Sequence, residues 1–146
     1  MNVRLMNEND YDDIYQIWIN TPGMGLNNLD DSREGIAKFL RRNPTTCFVA
    51  EDNGKLIGVI ISGNDGRRGY IYHAAVVAVE REKGVGTALL NASLEALKHE
   101  GINKVALVVF SKNETGNKFW ESQEFIKRDD LIYRNKSLTD IQRIDT

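Results

Sequence analysis

The feature that most constrains the fold is the stretch of residues 76–90, where an apolar strand passes through a charged, glycine-containing turn into a helix. One face of that helix is apolar, at Val85, Ala88, Leu89, Ala92 and Ala96. A strand that feeds a helix through Arg-x-x-Gly-x-Gly brings free backbone N–H groups and the positive end of a helix dipole to one point. Gly84 and Gly86 allow an anion to approach the backbone without meeting a Cβ. The stretch therefore predicts a site for phosphate oxygens.

Two well-known phosphate-binding motifs are excluded at this stretch. Position 89 is Leu, so Gly-x-Gly-x-x-Gly is incomplete, and no Gly-Lys-Ser/Thr run exists. On these residues alone, an ordinary strand-to-helix connection whose glycines only relieve crowding is the alternative interpretation.

Composition indicates one soluble domain over residues 1–146, since 146 residues with 41% hydrophobic side chains are enough for a core. The net charge of −2, without a basic block, predicts neither nucleic acid nor an anionic membrane as partner. The apolar runs at residues 56–61 and 105–110 have the length of strands and are too short to span a membrane. The first residues show no signal peptide, and we expect a cytoplasmic protein.

Cys47 is the single cysteine, which excludes an internal disulfide framework and a cysteine-based metal site. Because Phe48, Val49 and Ala50 follow it, we expect a buried structural thiol. No metal is predicted.

The first half of the chain reads as a strand and two helices. We expect the strand at residues 2–6 and a helix capped by Asn9 or Asp10, which ends at residues 21–23. Residues 24–30 form a loop, and Asp31 with Glu34 resembles a capping box for a second helix that stops before Pro44. The core faces of the two helices carry Tyr11, Ile14, Tyr15 and Trp18, then Ile36, Phe39 and Leu40.

The second half predicts an antiparallel meander followed by a parallel crossover. Asn53-Gly54 between two apolar runs is a strong hairpin signal. The predicted elements are strands at residues 46–51, 56–62 and 69–79, a helix at 86–100, a strand at 104–110 covered on both faces, a helix from Asn113, one or two closing strands at 125–136, and a frayed polar tail from Asp140. A right-handed crossover places the strand at 104–110 beside the strand at 69–79.

The fold class is therefore α/β, of the α+β type. The predicted architecture is a mixed, mostly antiparallel central sheet with helices on both faces, in the order β-α-α-β-β-β-α-β-α-β, with or without one further strand.

In its motifs and in the order of its predicted elements, the sequence resembles the GNAT superfamily of N-acetyltransferases. The run Arg81-Glu82-Lys83-Gly84-Val85-Gly86 matches the family's Arg/Gln-x-x-Gly-x-Gly/Ala acetyl-CoA motif at every specified position. Asn113, followed by Phe119-Trp120 and Phe125, matches the next block. The run of residues 65–73 is similar to small bacterial members of the ribosomal-protein alanine acetyltransferase branch. The resemblance implies the GNAT acyl-CoA N-acyltransferase fold over the whole chain.

The resemblance also implies where acetyl-CoA, the co-substrate, binds. Backbone amides in the turn would hold the pyrophosphate, with added positive charge from Arg81 and Lys83; the residues of this loop are Arg81, Glu82, Lys83, Gly84, Val85, Gly86 and Thr87. The family's central strand bulges near Val76 and splays from its neighbour, so Val76 and Ala78 are expected to contact the pantetheine. The N–H of Ala74 is expected to polarise the thioester carbonyl. Asn113 either fixes the last helix near the pantetheine or is a plain N-cap.

The sequence departs from the family where protons are transferred. Many members place a Tyr beside the CoA sulfur, but the matching residue here is Trp120, whose indole N–H donates a hydrogen bond without giving up its proton, and which would line the cleft. The Glu found in some members is also missing, since Tyr70 and Val108 occupy those positions.

Three residues near the cleft are candidates for proton transfer. By strand alternation Tyr70, Tyr72 and Ala74 share one face and His73 points to the other, unless a bulge intervenes. If the Tyr70 face is the cleft face, Tyr72 is the first candidate for the acid or a water-mediated base, and His73 is the second. Plain strand aromatics, and a histidine paired inside the sheet, are the structural alternatives.

The resemblance implies direct transfer of the acetyl group to a primary amine of a small molecule, a peptide or a protein N-terminus. Asp30, Asp31 and Glu34 either attract a cationic amine or, for Asp31 and Glu34, cap a helix. The alternative function is a noncatalytic acyl-CoA-binding or sensing domain, which Trp120 and the missing Glu favour. A homodimer through the closing strands is a further expectation.

Overall fold

The computed structural model describes residues 1–144, and within them it has five strands and four α-helices. In chain order these are β1 (Asn2–Leu5), α1 (Tyr11–Ile19), α2 (Arg33–Arg42), β2 (Phe48–Asp52), β3 (Lys55–Asn64), β4 (Gly69–Val76), α3 (Val85–His99), β5 (Val105–Leu107) and α4 (Glu114–Ser122). Short 3₁₀ turns lie at Glu8–Asp10 and Ala78–Glu80. Among the described helices, none combines the length and the apolar character that a membrane span needs.

The strands form one mixed sheet in the order β1-β2-β3-β4-β5. All neighbours pair antiparallel except β4 and β5, which are parallel. The predicted meander and crossover are therefore confirmed. Asn53 and Gly54 join β2 to β3 with φ angles of 51° and 77°, as a type I′ hairpin turn requires.

Helices cover both faces of the sheet, as expected. Ile14 and Trp18 of α1 and Ile36 of α2 are buried in one core cluster. Leu89 of α3 is buried in a second cluster on the other face, against which Phe119 of α4 also packs. Cys47 is buried as expected, and burial raises the pKa of its thiol to about 12.

One of the two predicted helix caps has the predicted position. Asp10 is the N-cap residue of α1, although its side chain makes no capping hydrogen bond to that helix. The cap predicted at Asp31 for α2 is wrong. The Glu8–Asp10 turn begins at Asn7, whose side chain and that of Asp10 make a reciprocal capping box. The cap of α2 is Ser32, whose Oγ accepts from the N–H of Gly35 at 3.0 Å. Asp31 and Asp10 serve other partners instead: Asp10 receives two hydrogen bonds from the Arg4 guanidinium.

The predictions for the carboxyl-terminal part are wrong in three places. The strand expected at 104–110 spans only Val105–Leu107 and is an edge strand, so Val108 and Phe110 are exposed rather than covered on both faces. No described residue in the range 125–136 belongs to a strand, because nothing pairs with that backbone. The tail from residue 140 was expected to fray, but the N–H of Ile144 donates to Leu26 and the N–H of Asn28 to Gln142. Residues 145–146 of the predicted tail lie outside the described part.

Gly35 lies in the first turn of α2, where the backbone of the preceding loop packs directly against the helix. A Cβ at this position would overlap the backbone carbonyl oxygens of Leu29 and Asp30, which cannot rotate away as a side chain would. We predict that Gly35→Ala lowers the free energy of unfolding by about 2 kcal/mol. Urea denaturation measures the change, with exposed Lys38→Ala in the same helix as control. Equal stabilities of the two variants would contradict the tight seating.

Candidate active site

A gap opens in the sheet between β4 and β5. The two strands pair only from Gly69–Ile71 of β4 to Val105–Leu107 of β5. β4 continues to Val76, whereas β5 ends at Leu107. Among residues 1–144, no strand pairs with residues 72–76 on that side. The separation expected between these strands is thus present, and it leaves a length of strand backbone open to a ligand.

Hydrogen bonds at the end of β4 show which residues face the gap. The N–H of Val77 donates to Ile57 of β3 at 2.9 Å. Because successive residues of a strand turn their backbone groups to opposite neighbours, those of Val76 and Ala74 face the gap. Their backbone groups are therefore open on this side, while the ligand contacts expected for them stay a prediction. Ala78 differs, since the strand predicted to reach 79 ends at Val76 and Ala78 begins a 3₁₀ turn.

The gap leads to the N-terminus of α3. The N-cap is Gly84, which has no side-chain cap hydrogen bond, and the first turn contains no acidic residue. The N–H groups of Val85, Gly86 and Thr87 have no hydrogen-bond partner among the described residues. These three donors and the helix dipole make a site for an anionic group.

Two residues of the turn before α3 adopt left-handed backbone conformations. Glu82 has a φ of 62° and Gly84 a φ of 82°. A Cβ on Gly84 would meet nothing within 4 Å, so this glycine serves the backbone conformation. Gly86 serves packing: a Cβ there would lie 3.3 Å from the Phe119 ring.

The two basic side chains of the turn differ in their partners: Arg81 is bonded to the backbone, whereas Lys83 lies near a surface carboxylate. Arg81 donates from Nε to the Val76 carbonyl at 3.1 Å, which ties the turn to the end of β4. The Lys83 ammonium is exposed and lies 3.4 Å from the Glu80 carboxylate. Exposed ion pairs of this kind contribute little, so Lys83 can turn to another anion at small cost.

Phe119 of α4 lies beside the start of α3. A Cβ on Gly86 would lie 3.3 Å from the Phe119 ring and 3.8 Å from a Val76 methyl group, so these side chains meet around Gly86. The sequence pattern did not indicate this contact. Trp120 packs edge-on against Phe119 and Phe125, with ring centroids 5.0 and 5.2 Å apart. Trp120 therefore supports the Phe119 ring from the side of Phe125.

Asn113 caps α4. Its side-chain oxygen accepts from the N–H of Gly116 at 2.9 Å, and its own carbonyl accepts from the side chain of Asn117. Of the two interpretations offered for Asn113, the N-cap is the one that the geometry supports directly.

A bulge in β4 rearranges the three candidate residues for proton transfer. The register pairs Ile61 with His73 but Ser62 with Ile71, which leaves Tyr72 as the extra residue. Tyr72 packs on Phe39 of α2 and His73 on Trp18 of α1, so both rings lie on the α1 and α2 face. The bulge thus brings His73 to the face of Tyr72, the exception that the sequence left open. Ala74, which was expected on the face of Tyr70 and Tyr72, packs instead against the cluster on the other face. The bulge lies four residues before the position expected near Val76.

The tyrosines form an exposed aromatic pair at the start of β4. The Tyr70 and Tyr72 rings are 4.7 Å apart, and Tyr72 is 54% exposed. Partial burial and the nearby Tyr133 hydroxyl raise the pKa of both tyrosines. The Tyr72 hydroxyl makes no hydrogen bond within residues 1–144, so a protonated donor stands available at neutral pH.

His73 is paired with Asp31 inside the protein. His73 Nε2 and Asp31 Oδ1 are 2.7 Å apart, and both side chains are nearly buried. A carboxylate can only accept, so Nε2 carries the proton and donates. Asp31 also accepts from the N–H of Asn27, which leaves it with neither a capping role nor freedom to meet a cationic amine. The sequence offered no signal for this pair beyond the residue types.

A cavity of about 520 Å³ opens beside Tyr72. It is lined by Phe39, Arg42, Asn43, Gly63, Asn64, Asp65, Arg68, Gly69, Tyr70, Tyr72 and Ala106. Two guanidinium groups and one carboxylate face it. The cavity and the gap share β4, and Tyr72 is two residues, or about 7 Å, from Ala74.

No group of three or more metal-ligating side chains was found among residues 1–144. The groups around the gap and the cavity include backbone N–H donors, the N-terminus of α3 and the Tyr72 phenol.

The chain is similar to known proteins in sequence and in fold. Residues 11–125 match the model of the acetyltransferase (GNAT) family. An acetyltransferase of Sodalis glossinidius (strain morsitans) is 27% identical over 97% of this chain and 99% of its own. The structure of Ard1 from Thermoplasma volcanium superposes with a TM-score of 0.76, at 23% identity, over 86% of this chain and 82% of that one.

A second similar structure contains a ligand. It is that of AAC(6')-Iy in complex with a bisubstrate analogue, CoA-S-monomethyl-acetylneamine, with a TM-score of 0.71 and 18% identity over 93% of this chain and 97% of that one. At these identities the two structural likenesses establish the fold.

The buried pair yields a stability prediction. Asp31→Ala removes the acceptor for His73 and for the N–H of Asn27, so buried donors lose their partners. We expect a loss of about 2 kcal/mol in the free energy of unfolding, measured by urea denaturation. Asp30→Ala, at the neighbouring exposed carboxylate, serves as control and is expected to change stability by less than about 0.5 kcal/mol. Similar losses in both variants would contradict a specific role for the pair.

Proposed function

The chain belongs to the acetyltransferase (GNAT) family, and on that premise we propose that it transfers the acetyl group of acetyl-CoA directly to a primary amine of a small molecule, a peptide or a protein N-terminus. The observation that carries the proposal is the continuity of the open β4 edge with the uncapped N-terminus of α3. An elongated ligand with a pyrophosphate at one end and amide groups along its length matches these two features.

In this proposal the pyrophosphate of acetyl-CoA lies on the N–H groups of Val85, Gly86 and Thr87. Lys83 supplies positive charge from the surface, while Arg81 holds the turn against β4. The pantetheine amides pair with the backbone of Val76 and Ala74, and the thiol end reaches the bulge. Phe119 bounds the channel on the α4 side.

The reaction is attack of a neutral amine on the thioester carbonyl, which the N–H of Ala74 polarises. The C–N bond forms, the C–S bond breaks, and the amine proton passes to water in the cavity beside Tyr72. The Tyr72 hydroxyl, which its raised pKa keeps protonated at neutral pH, protonates the departing thiolate and is reprotonated by water. The His73–Asp31 pair sets the shape of the bulge beside it.

The acceptor enters through the cavity beside Tyr72. Arg42 and Arg68 outnumber the one carboxylate there, so amines that also carry an acidic group belong in the first panel of acceptors.

We place the activity in the cytoplasm and assign residues 1–146 to one catalytic domain.

A noncatalytic acyl-CoA-binding domain is the competing function. Trp120 favoured this function, because its indole cannot protonate a thiolate as the Tyr of other family members can. The exposed Tyr72 hydroxyl, which has no hydrogen bond within residues 1–144, offers another proton donor and so favours the enzyme. Calorimetric titration with acetyl-CoA, followed by thiol release against a panel of amines and N-terminal peptides, separates the two. Binding with thiol release supports the enzyme, whereas binding without release from any acceptor favours the sensing domain.

The phosphate site gives a prediction with a matched control. Gly84 and Gly101 lie at the two ends of α3 with φ angles of 82° and 81°. Substitution of either by Val imposes the same backbone strain, but only Gly84 lies at the proposed site. We predict that Gly84→Val weakens acetyl-CoA binding at least about 100-fold, measured by calorimetry, while Gly101→Val binds as the wild type. Equal affinities for the two variants would remove the turn from the site.

The proposed proton donor gives a second prediction. Tyr72→Phe keeps the ring against Phe39 and removes the hydroxyl, so kcat should fall about 10- to 100-fold with little change in the affinity for acetyl-CoA. Tyr70→Phe is the control, because it removes the hydroxyl of the neighbouring ring, whose centroid lies 4.7 Å from that of Tyr72. Unchanged kcat in Tyr72→Phe would shift the role to His73, which His73→Gln tests.

A further inference from the structure

The cavity beside Tyr72 carries two arginines at the end that lies away from the gap in the sheet. Arg42 is the last residue of α2, and Arg68 lies directly before β4. Among the described residues that line the cavity, Asp65 alone carries a carboxylate. Because protein walls concentrate the field of charged groups inside a cleft, the excess of positive charge favours an anionic group at this end.

Neither guanidinium has a carboxylate partner. Within residues 1–144 the Arg42 guanidinium makes no hydrogen bond or ion pair, and that of Arg68 donates only to the adjacent Arg67 carbonyl at 3.4 Å. Asp65 Oδ1 accepts from the backbone N–H groups of Arg68 and Arg67, which lower the pKa of this carboxyl. Both guanidinium groups are therefore available to an anion, and their planar fork of donors matches a carboxylate.

Aromatic rings line the part of the cavity between the arginines and the gap. The centroid of the Tyr72 ring lies 5.6 Å from that of Phe39 and 4.7 Å from that of Tyr70. Along β4, Arg68 precedes Tyr72 by about 13 Å of strand. Along α2, Arg42 follows Phe39 by one helical turn, or about 5 Å. A ligand that reaches from the gap to the arginines therefore needs an apolar segment between its two ends.

The opposite charge lies near the other end of the cavity, at Asp30. Burial, and then the charges of Tyr133, Asp30 and Asp65, raise the pKa of Tyr72, so the Asp30 carboxylate is close to this ring. Asp30 is exposed, accepts from the Asn27 side chain at 3.1 Å and forms no ion pair within the described chain. An entering amine thus meets a negative charge near Tyr72, whereas the far end of the cavity is positive.

We propose that the acceptor is an amine that also carries a carboxylate, bound by Arg42 and Arg68, with an apolar segment between the two groups; the inference rests on the acetyl transfer proposed for this same site. The amine lies at the Tyr72 end, and the apolar segment lies against the aromatic rings. An α-amino acid, whose amine and carboxylate share one carbon, is too short to reach both ends. An ω-amino acid with an aliphatic chain fits, as does a peptide N-terminus followed by an acidic side chain.

Matched pairs of acceptors test the requirement for a carboxylate. The first pair is ε-aminocaproate and its amide, and the second is two tripeptide amides that end in Glu and in Gln. We expect kcat/KM for at least one acid to exceed that of its amide at least about tenfold, because hydrogen bonds between two charged groups are strong. The pair that shows the preference distinguishes a small molecule from a peptide as the acceptor. Equal kcat/KM within both pairs would overturn the proposal.

Neighbouring arginines provide the control variants. Arg42→Gln and Arg68→Gln should each raise KM for the preferred acid at least about tenfold and leave the affinity for acetyl-CoA unchanged. Arg41→Gln and Arg67→Gln remove the same charge at adjacent positions outside the cavity, and KM should stay as in the wild type. Equal effects in all four variants would reduce the preference to general surface charge and overturn the proposal. Circular dichroism checks that each variant is folded.

A binding measurement separates this inference from the proposed acetyl transfer. The side-chain Nε–H signals of Arg42 and Arg68 are followed by NMR, with and without saturating CoA, while the acid or the amide of each pair is added. Shifts caused by an acid and not by its amide support the carboxylate site even if no acceptor is acetylated, a result that removes only the transfer. Absence of such shifts with both acids would overturn the inference even where acetyl transfer is observed.

Discussion

The early end of the pairing between β4 and β5 is the constraint on which the site depends. Only Gly69–Ile71 are paired with β5, and the backbone of β4 beyond them lies open up to the turn that starts α3. A continuous ladder would satisfy these groups internally and leave no channel. Because α3 begins at Val85 without a side-chain cap, the open edge ends at a second set of free N–H groups. The ligand site is thus built mainly from backbone, and glycine and small residues keep it accessible.

The bulge at Tyr72 is the second determinant, since it places the proposed proton-transfer residues beside this length of open backbone. Without the extra residue, Tyr72 and His73 would point to opposite faces of the sheet. With it, both rings pack on helices of the same face, Tyr72 on Phe39 and His73 on Trp18. The buried His73–Asp31 contact joins the bulge to the loop before α2.

Patterns confined to one segment were predictable from the sequence. The hairpin at Asn53-Gly54, the meander and the helix that ends before Gly101 follow from local periodicity and turn chemistry. Features that depend on two segments were not. Strand alternation cannot reveal the bulge, and Asp31 matched a capping pattern although Ser32 caps the helix. Likewise, residues 125–136 have the composition of a strand, but a strand exists only where another backbone pairs with it.

The central claim is that acetyl-CoA binds along the β4 edge with its pyrophosphate at the start of α3. Amide hydrogen exchange, followed residue by residue by NMR with and without CoA, tests this most directly. The account predicts slowed exchange at the N–H groups of Val85, Gly86 and Thr87 and at Ala74 and Val76, with little change at the far end of α3. Unchanged exchange at these five amides in the presence of saturating CoA would contradict it.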